Sequence, residues 1–274
     1  VIVVSPRTFD KYEGTGNDFI VLDAARWPES NLSVEGVRAL CDRHTGIGGD
    51  GVLWVAPNLS TREARLIIRN ADGSRPEMCG NGVRCVVAWL ADRGMLKPGE
   101  SVTVQSDAGP RRSTLLGGNG TTWHVEVDMG TAHVAPAEEA QAGVAPPFDV
   151  YPVDVGNPHG VVFDAVPDTM AALRAVSKLP VFPHGVNVEF VTREGEGFRV
   201  RVHERGVGWT RACGTGACAV AAAAVRKGLA PPGIPIAITL DGGTLTVVVE
   251  PHSARVRMTG PARRVFSGEL PPEP

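Results

Sequence analysis

The sequence predicts an α+β protein of two pseudo-symmetric halves, each a curved, mostly antiparallel or mixed sheet wrapped around a central helix, with the active site in the cleft between them. Three observations predict it. First, Cys79-Gly80-Asn81-Gly82 returns as Cys213-Gly214-Thr215-Gly216, 134 positions later in a chain of 274 residues. The flanks match as well: CGNGVRCVVAWLADRG (79–94) aligns without a gap on CGTGACAVAAAAVRKG (213–228), and RLIIRN (65–70) falls at the same offset on RVRVHE (199–204). A repeat of this length marks a duplicated supersecondary unit. Second, short runs of alternating apolar and polar residues outnumber helical patterns. Third, ACAVAAAAVRK (217–227) carries no polar side chain before Arg226. A helix apolar all round must be enclosed on every side, and its alanines let sheet approach closely.

In chain order, strands are predicted at IVLD (20–23), GVLWV (51–55), RLIIR (65–69), SVTVQ (101–105) and WHVEVD (123–128), then at GVVF (160–163), VNVEFV (186–191), FRVRVH (198–203), IAITL (236–240), LTVVVE (245–250) and ARVRMT (254–259). Helical spacing appears over Val34 to Arg43, Gly82 to Arg93, Asp168 to Val176 and Gly216 to Lys227; the second and fourth are each followed by Gly, as at a C-cap. Weaker echoes extend the repeat: Gly16-Asn17 and Gly156-Asn157 each open an apolar run, as do Gly46 and Gly185. The turn-like Gly117 to Thr121 is the expected crossing between halves. This gives an N-terminal half, 1–119, carrying Cys79, to which the tail 263–274 returns, and a C-terminal half, 120–262, carrying Cys213. The Pro- and Ala-rich stretch 135–147 reads as a surface loop.

Composition narrows the function. Lys and Arg total 27 against 30 Asp and Glu, a net charge of −3 that gives no electrostatic footprint for nucleic acid or an anionic membrane. The longest apolar stretch, Ala217 to Val225, falls far short of a bilayer span, and VIVVSP is too short for a signal peptide. A cytoplasmic location with reduced thiols is expected. The five cysteines (41, 79, 85, 213, 218) form an odd set without a Cys-x-x-Cys pair, against both a disulfide framework and a zinc ribbon. A metal site from Cys79, Cys85, Cys213 and Cys218 is poorly spaced, so no metal is expected.

The chemistry follows from a thiol placed where a Gly-rich loop enters a helix. First-turn amides lack intrahelical partners and carry partial positive charge, so they favour a thiolate and can bind a substrate carboxylate. An ordinary thiol, with a pKa of about 8.5, is only a few per cent ionised at neutral pH, and such surroundings lower that value. One such cysteine would suit covalent catalysis, but that chemistry gives no reason for a second, symmetry-related thiol. Two opposed thiols suit a carbon that loses a proton on one face and gains one on the other. This is racemisation or epimerisation, with the two helix N-termini stabilising the charge that develops on the carboxylate and no cofactor required. Cys41, Cys85 and Cys218 are read as packing residues, and His44, His124, His133, His184, His203 and His252 receive no role.

GTGNDF (14–19), DRHTGIGGDG (42–51), RNADGSRPEMCGNGVRC (69–85), VGNPHGVVF (155–163), GVNVEF (185–190) and HERGVGWTRACGTGACA (203–219) occur in this order. On these segments the chain resembles the diaminopimelate epimerases over nearly its full length. The resemblance implies reversible conversion of LL-diaminopimelate to the meso form without a cofactor, and a homodimer. Cys213 matches the base that deprotonates the LL substrate, and Cys79 the thiol that reprotonates the opposite face. Gly80 with Asn81, and Gly214 with Thr215, match the groups that bind the reacting carboxylate. Asn17, Asn70, Asn157, Asn187, Glu204 and Arg205 match substrate-binding positions, and His159 and Glu204 match residues that tune thiol protonation. Gly51 departs from the pattern, since some family members carry a substrate-contacting Gln there; a water or Asp50 is the alternative contact. Two other readings stay open. One is a proline or hydroxyproline racemase, whose first motif usually reads Met-Cys-Gly-His-Gly where this chain has Asn81. The other is a non-catalytic amino-acid-binding relative.

Overall fold

The computed structural model describes residues 7–137, 148–163 and 169–270. Most of the loop expected at 135–147, the first six residues and the last four of the tail lie outside the described residues. By internal contacts the chain forms two units, 1–127 with 260–274, and 128–259.

The first unit runs β1 (Arg7–Gly14), β2 (Asn17–Asp23), a 3-10 turn (Glu29–Asn31), α1 (Val34–Cys41), β3 (Gly51–Asn58), β4 (Glu63–Asn70), α2 (Gly80–Asp92), β5 (Ser101–Ser106), β6 (Gly109–Gly118) and the start of β7 (Thr122–Thr131). These strands neighbour one another in chain order. The pairs β2–β3 and β4–β5 are parallel, and each is bridged by a helix, as a parallel crossover requires. The remaining pairs are antiparallel. On its free side, β1 pairs with the far half of the last strand, β16 (Arg255–Leu270), from Arg7 opposite Leu270 to Glu13 opposite Arg263.

The second unit repeats this plan. Its elements are β8 (His133–Val134), β9 (Tyr151–Asp154), β10 (Pro158–Val162), α3 (Thr169–Val176), β11 (Asn187–Glu194), β12 (Gly197–Glu204), β13 (Gly208–Thr210), α4 (Gly214–Arg226), β14 (Ile236–Leu240), β15 (Gly243–Val249) and the near half of β16. Again two pairs are parallel and helix-bridged, β10–β11 by α3 and β12–β14 by α4; β9–β10, β11–β12, β14–β15 and β15–β16 are antiparallel. The repeat is thus a repeat of topology, with α2 and α4 in equivalent crossovers.

Enclosure of these two helices is complete. Every residue of α2 from Gly80 to Ala91 and of α4 from Gly214 to Ala224 is buried. α2 packs on β1, β2, β3 and β6, and α4 on β9, β10, β11, β14 and β15. A second helix covers the outer face of each sheet: α1 contributes Val37 and Cys41 to a cluster with Trp27, Val52, Trp54 and Ile67, and α3 joins Val162, Phe182, Val188 and Phe190. Strands β3 and β11 are therefore covered on both faces, which is why GVLWV in β3 reads as a continuous apolar run and why Asn187 and Glu189 are buried in β11.

The turn at 117–121 is the β6–β7 hairpin, in which Asn119 Oδ1 accepts from the amides of Thr121 and Thr122 at 3.2 and 3.0 Å. The passage between units falls further on, inside β7, after Val127. None of the helices among the described residues is long and apolar enough to cross a membrane.

Candidate active site

Both repeat cysteines are helix N-caps. Cys79 (φ −144°, ψ 111°) and Cys213 (φ −129°, ψ 113°) have extended backbone, and each sulfur accepts the amide three residues on: Gly82 N–H at 3.5 Å and Gly216 N–H at 3.3 Å. The helices begin two residues earlier than the sequence pattern suggests, so Gly80, Asn81, Gly214 and Thr215 form the first turns, whose amides have no intrahelical acceptor.

In the first unit, Thr15 and Gly16 (φ 57° and 78°) turn the chain between β1 and β2 and present Asn17. Asn17 Oδ1 accepts from the Cys79 thiol at 3.8 Å and from Asn81 Nδ2 at 3.3 Å, while its Nδ2 donates to Asp50 Oδ2 at 2.6 Å. Asn81 is held from below by the fully buried Arg84, whose guanidinium donates to Asn81 Oδ1 (2.9 Å), Thr15 Oγ1 (2.6 Å), the Gly80 carbonyl (3.4 Å) and the Pro261 carbonyl (3.2 Å). Asn70 closes β4 and donates through Nδ2 to Ser74 Oγ at 2.9 Å. At Gly51 a Cβ would lie 2.4 Å from the Arg69 carbonyl oxygen, so the strand pairing leaves no room for a side chain there. Asp50 is tied to Asn17 and, at 2.8 Å, to Arg43.

The second unit gathers more of the expected residues. His159, fully buried, has Nδ1 2.7 Å from Glu189 Oε1 and Nε2 3.0 Å from Asn157 Oδ1. Asn157 Nδ2 donates to Thr215 Oγ1 at 3.4 Å, and Thr215 Oγ1 lies 3.4 Å from Cys213 Sγ. Glu204 accepts from the Cys213 thiol and, at 2.5 Å, from Thr210 Oγ1. Asn187 donates to the Pro158 carbonyl at 3.0 Å and accepts the Arg205 amide at 2.9 Å. The Arg205 side chain lies across Gly185 (φ 84°), where a Cβ would come within 2.9 Å of its Cδ, and donates to the His184 carbonyl at 3.0 Å.

The electrostatics of this unit hold protons. Burial pushes the Cys213 thiol well above the usual thiol value; the carboxylates of Glu204 and Glu189 add to the rise, and the bonds from Thr215 and Gly216 oppose it. Burial likewise raises the Glu204 carboxyl, with the Glu189 charge adding and the Thr210 hydroxyl opposing. Cys41 is pushed up to about 11 by burial, and burial raises the wholly enclosed Cys85 further. Both are buried in the packed interior. Among the described residues no three His, Cys, Asp or Glu side chains assemble into a metal-binding group.

Three residues at these sites are absent from the sequence-based assignment: Glu189, Arg84 and Thr210. For Glu189 a signal existed, a carboxylate between Val188 and Phe190 in an otherwise apolar run. Arg84, inside an apolar helix pattern, offered the same signal. Thr210, by contrast, has neighbours that give no sign of its role.

The family model described as diaminopimelate epimerase matches residues 9–135 and 151–265. The diaminopimelate epimerase of Pelotomaculum thermopropionicum is 38% identical over 283 residues, covering 96% of this chain and 98% of its own. That of Nostoc punctiforme is 38% identical over 283 residues, covering 96% and 99%. Among solved structures, a predicted epimerase from Pseudomonas aeruginosa superposes with a TM-score of 0.73 at 18% identity over 97% of this chain and 100% of its own. A hydroxyproline epimerase from Agrobacterium vitis gives 0.68 at 18% identity over 96% and 90%. At that identity these structures establish the shared fold. With a family match spanning most of both units and relatives near full length, the chain belongs to the diaminopimelate epimerase family.

Proposed function

We propose that the protein interconverts LL- and meso-diaminopimelate by proton transfer at one α-carbon, without a cofactor. The observation that carries this reading is the pair of thiols at equivalent helix N-caps in two units of one topology. Cys213 takes the α-proton of the LL isomer, and the Cys79 thiol delivers a proton to the opposite face; in reverse the roles exchange. The first-turn amides at Gly80–Asn81 and Gly214–Thr215 bind the α-carboxylate and stabilise the charge that develops on it. The resting Cys213 is held protonated by burial and by two neighbouring carboxylates. An incoming substrate ammonium offsets those negative charges, so binding itself favours the thiolate. Glu204 receives the thiol proton and, with His159, tunes thiol protonation; Asn17, Asn70, Asn157, Asn187 and Arg205 recognise the remaining polar groups of the substrate. The family resemblance also supports a homodimer in the cytoplasm.

Incubation with LL-diaminopimelate in deuterium oxide tests the reading. The expected product is meso-diaminopimelate with deuterium at the inverted α-carbon alone. Turnover of proline with none of diaminopimelate, or binding without exchange, overturns it.

A further inference from the structure

Glu189 neither gives nor takes a proton in the transfer just described, yet it is a wholly buried carboxylate in the same unit as Cys213. Strand β11 explains its orientation. Val188 and Phe190 pack outward against α3, so the intervening Glu189 faces the opposite side, toward the first turn of α4. A Cβ at Gly216 would fall 2.7 Å from Glu189 Oε1. Glu189 Oε2 has no hydrogen-bond partner among the described residues, which leaves His159 as the group that compensates this carboxylate.

We propose that Glu189 is a positioning residue for the Cys213 thiol, acting through His159, Asn157 and Thr215, whose polar atoms form an unbroken chain from its carboxylate to the sulfur. The contacts are 2.7 Å (Glu189 to His159 Nδ1), 3.0 Å (His159 Nε2 to Asn157), 3.4 Å (Asn157 to Thr215) and 3.4 Å (Thr215 to Cys213 Sγ). The donor inventory gives the chain a direction. Asn157 Oδ1 only accepts, so His159 Nε2 carries the proton between them. Asn157 Nδ2 only donates, so Thr215 Oγ1 accepts there, and its own proton is free to point at Cys213. A sulfur that receives this proton together with the Gly216 amide is better stabilised as a thiolate. Glu189 anchors the far end: the 2.7 Å hydrogen bond between its carboxylate and Nδ1 fixes the ring so that Nε2–H faces Asn157 and not the reverse. The ring reversed, with Nε2 bare, would turn the Asn157 amide over and draw the Thr215 proton away from the sulfur.

This inference rests on the assignment of Cys213 as an acid–base thiol, but its test needs no diaminopimelate. The rate of Cys213 alkylation by iodoacetamide at fixed pH, located by peptide mass spectrometry with Cys79 as internal reference, reports its thiolate fraction. Removal of the Glu189 charge alone would make Cys213 more acidic, because that charge opposes the thiolate. Glu189→Gln keeps the chain, its amide donating to Nδ1, and is expected to alkylate Cys213 as fast as the parent or faster. Glu189→Leu breaks the chain and is expected to slow it by about tenfold, the effect of one lost hydrogen bond to a charged sulfur. A Leu variant as fast as the parent, or a Gln variant slower than it, overturns the proposal. If the Leu variant does not fold, 15N-histidine NMR of the unaltered protein decides, with His159 assigned by its loss in His159→Gln. A protonated Nε2 is expected, and a bare Nε2 overturns the proposal.

Discussion

At the scale of single residues, Cys79 and Cys213 carry two roles that substitution can separate. Each sulfur caps its helix by accepting an amide proton, and each is assigned to proton transfer. Serine keeps a capping oxygen but has a far less acidic hydroxyl, whereas alanine removes both functions. Cys79→Ser and Cys213→Ser are therefore expected to melt near the parent, and the alanine variants to lose about 1 kcal/mol of stability. All four are expected to lose epimerase turnover by at least about a thousandfold. Denaturant titration and a racemisation assay check the two effects independently, and appreciable turnover in either alanine variant would end the two-thiol assignment. The two cysteines were legible because the repeat gives them identical Cys-Gly-x-Gly surroundings. Their supports were not: Thr210 meets Glu204 only through the β12–β13 hairpin, and Arg84 reaches Thr15 and Pro261 from 69 and 177 positions away.

At the scale of elements, the third residues of α2 and α4, Gly82 and Gly216, are not equivalent despite their matching places in the repeat. A Cβ at Gly82 would meet Leu53 Cδ2 at 3.0 Å, the end of a flexible side chain that can yield; a Cβ at Gly216 would meet Glu189 Oε1 at 2.7 Å, in a pair locked by His159. Gly82→Ala is accordingly expected to retain turnover within about threefold, the propensity gain of alanine offsetting a small repacking. Gly216→Ala is expected to lower kcat by about tenfold or more while the protein stays folded, since a displaced second-layer contact disturbs the reacting group. Steady-state kinetics on both variants checks this, and equal effects would contradict it. The same local packing explains what the sequence revealed of the elements. Helices α2 and α4 were legible because enclosure demands uniform apolarity. Strand β1 was not, because RTFDKYEG shows no alternation: Asp10 and Lys11 are buried there, Asp10 held by Arg93, Trp89 and Ser267, and Lys11 by Asp18 and the Gly48 carbonyl. Pairing partners distant in sequence, not local pattern, make that segment a strand.

At the scale of the molecule, the duplication is imperfect in one respect that carries an energetic consequence. The first unit is not contiguous, since its β1 is flanked by β2 on one side and on the other by residues 263–270, delivered from the C-terminal end of the chain by the sixteen-residue β16. Beyond backbone pairing, this return places Phe266 edge-on to Phe9 at 5.9 Å, Ser267 within 2.5 Å of Asp10, and Arg263 within 2.6 Å of Glu13. The sequence suggested a returning tail, but ARVRMT shows alternation only as far as Thr259; beyond Pro261 the strand is largely exposed and has no periodicity to betray it. A chain ending at Ala262 keeps the Pro261 carbonyl for Arg84 and keeps the β15 pairing from Val256 to Thr259. It loses every partner of β1 on that side. With backbone hydrogen bonds worth about 1 kcal/mol each and an aromatic pair worth about another, the loss amounts to several kcal/mol, a large share of a marginal stability of about 5–15 kcal/mol. The loss also falls on one unit alone. Hydrogen exchange on the truncated chain is therefore expected to show collapsed protection in β1 and β2 and retained protection in β11, β12 and α4. Protection lost evenly across both units would mean that the two fold as one cooperative body, and protection kept in β1 would mean that the returning strand contributes little.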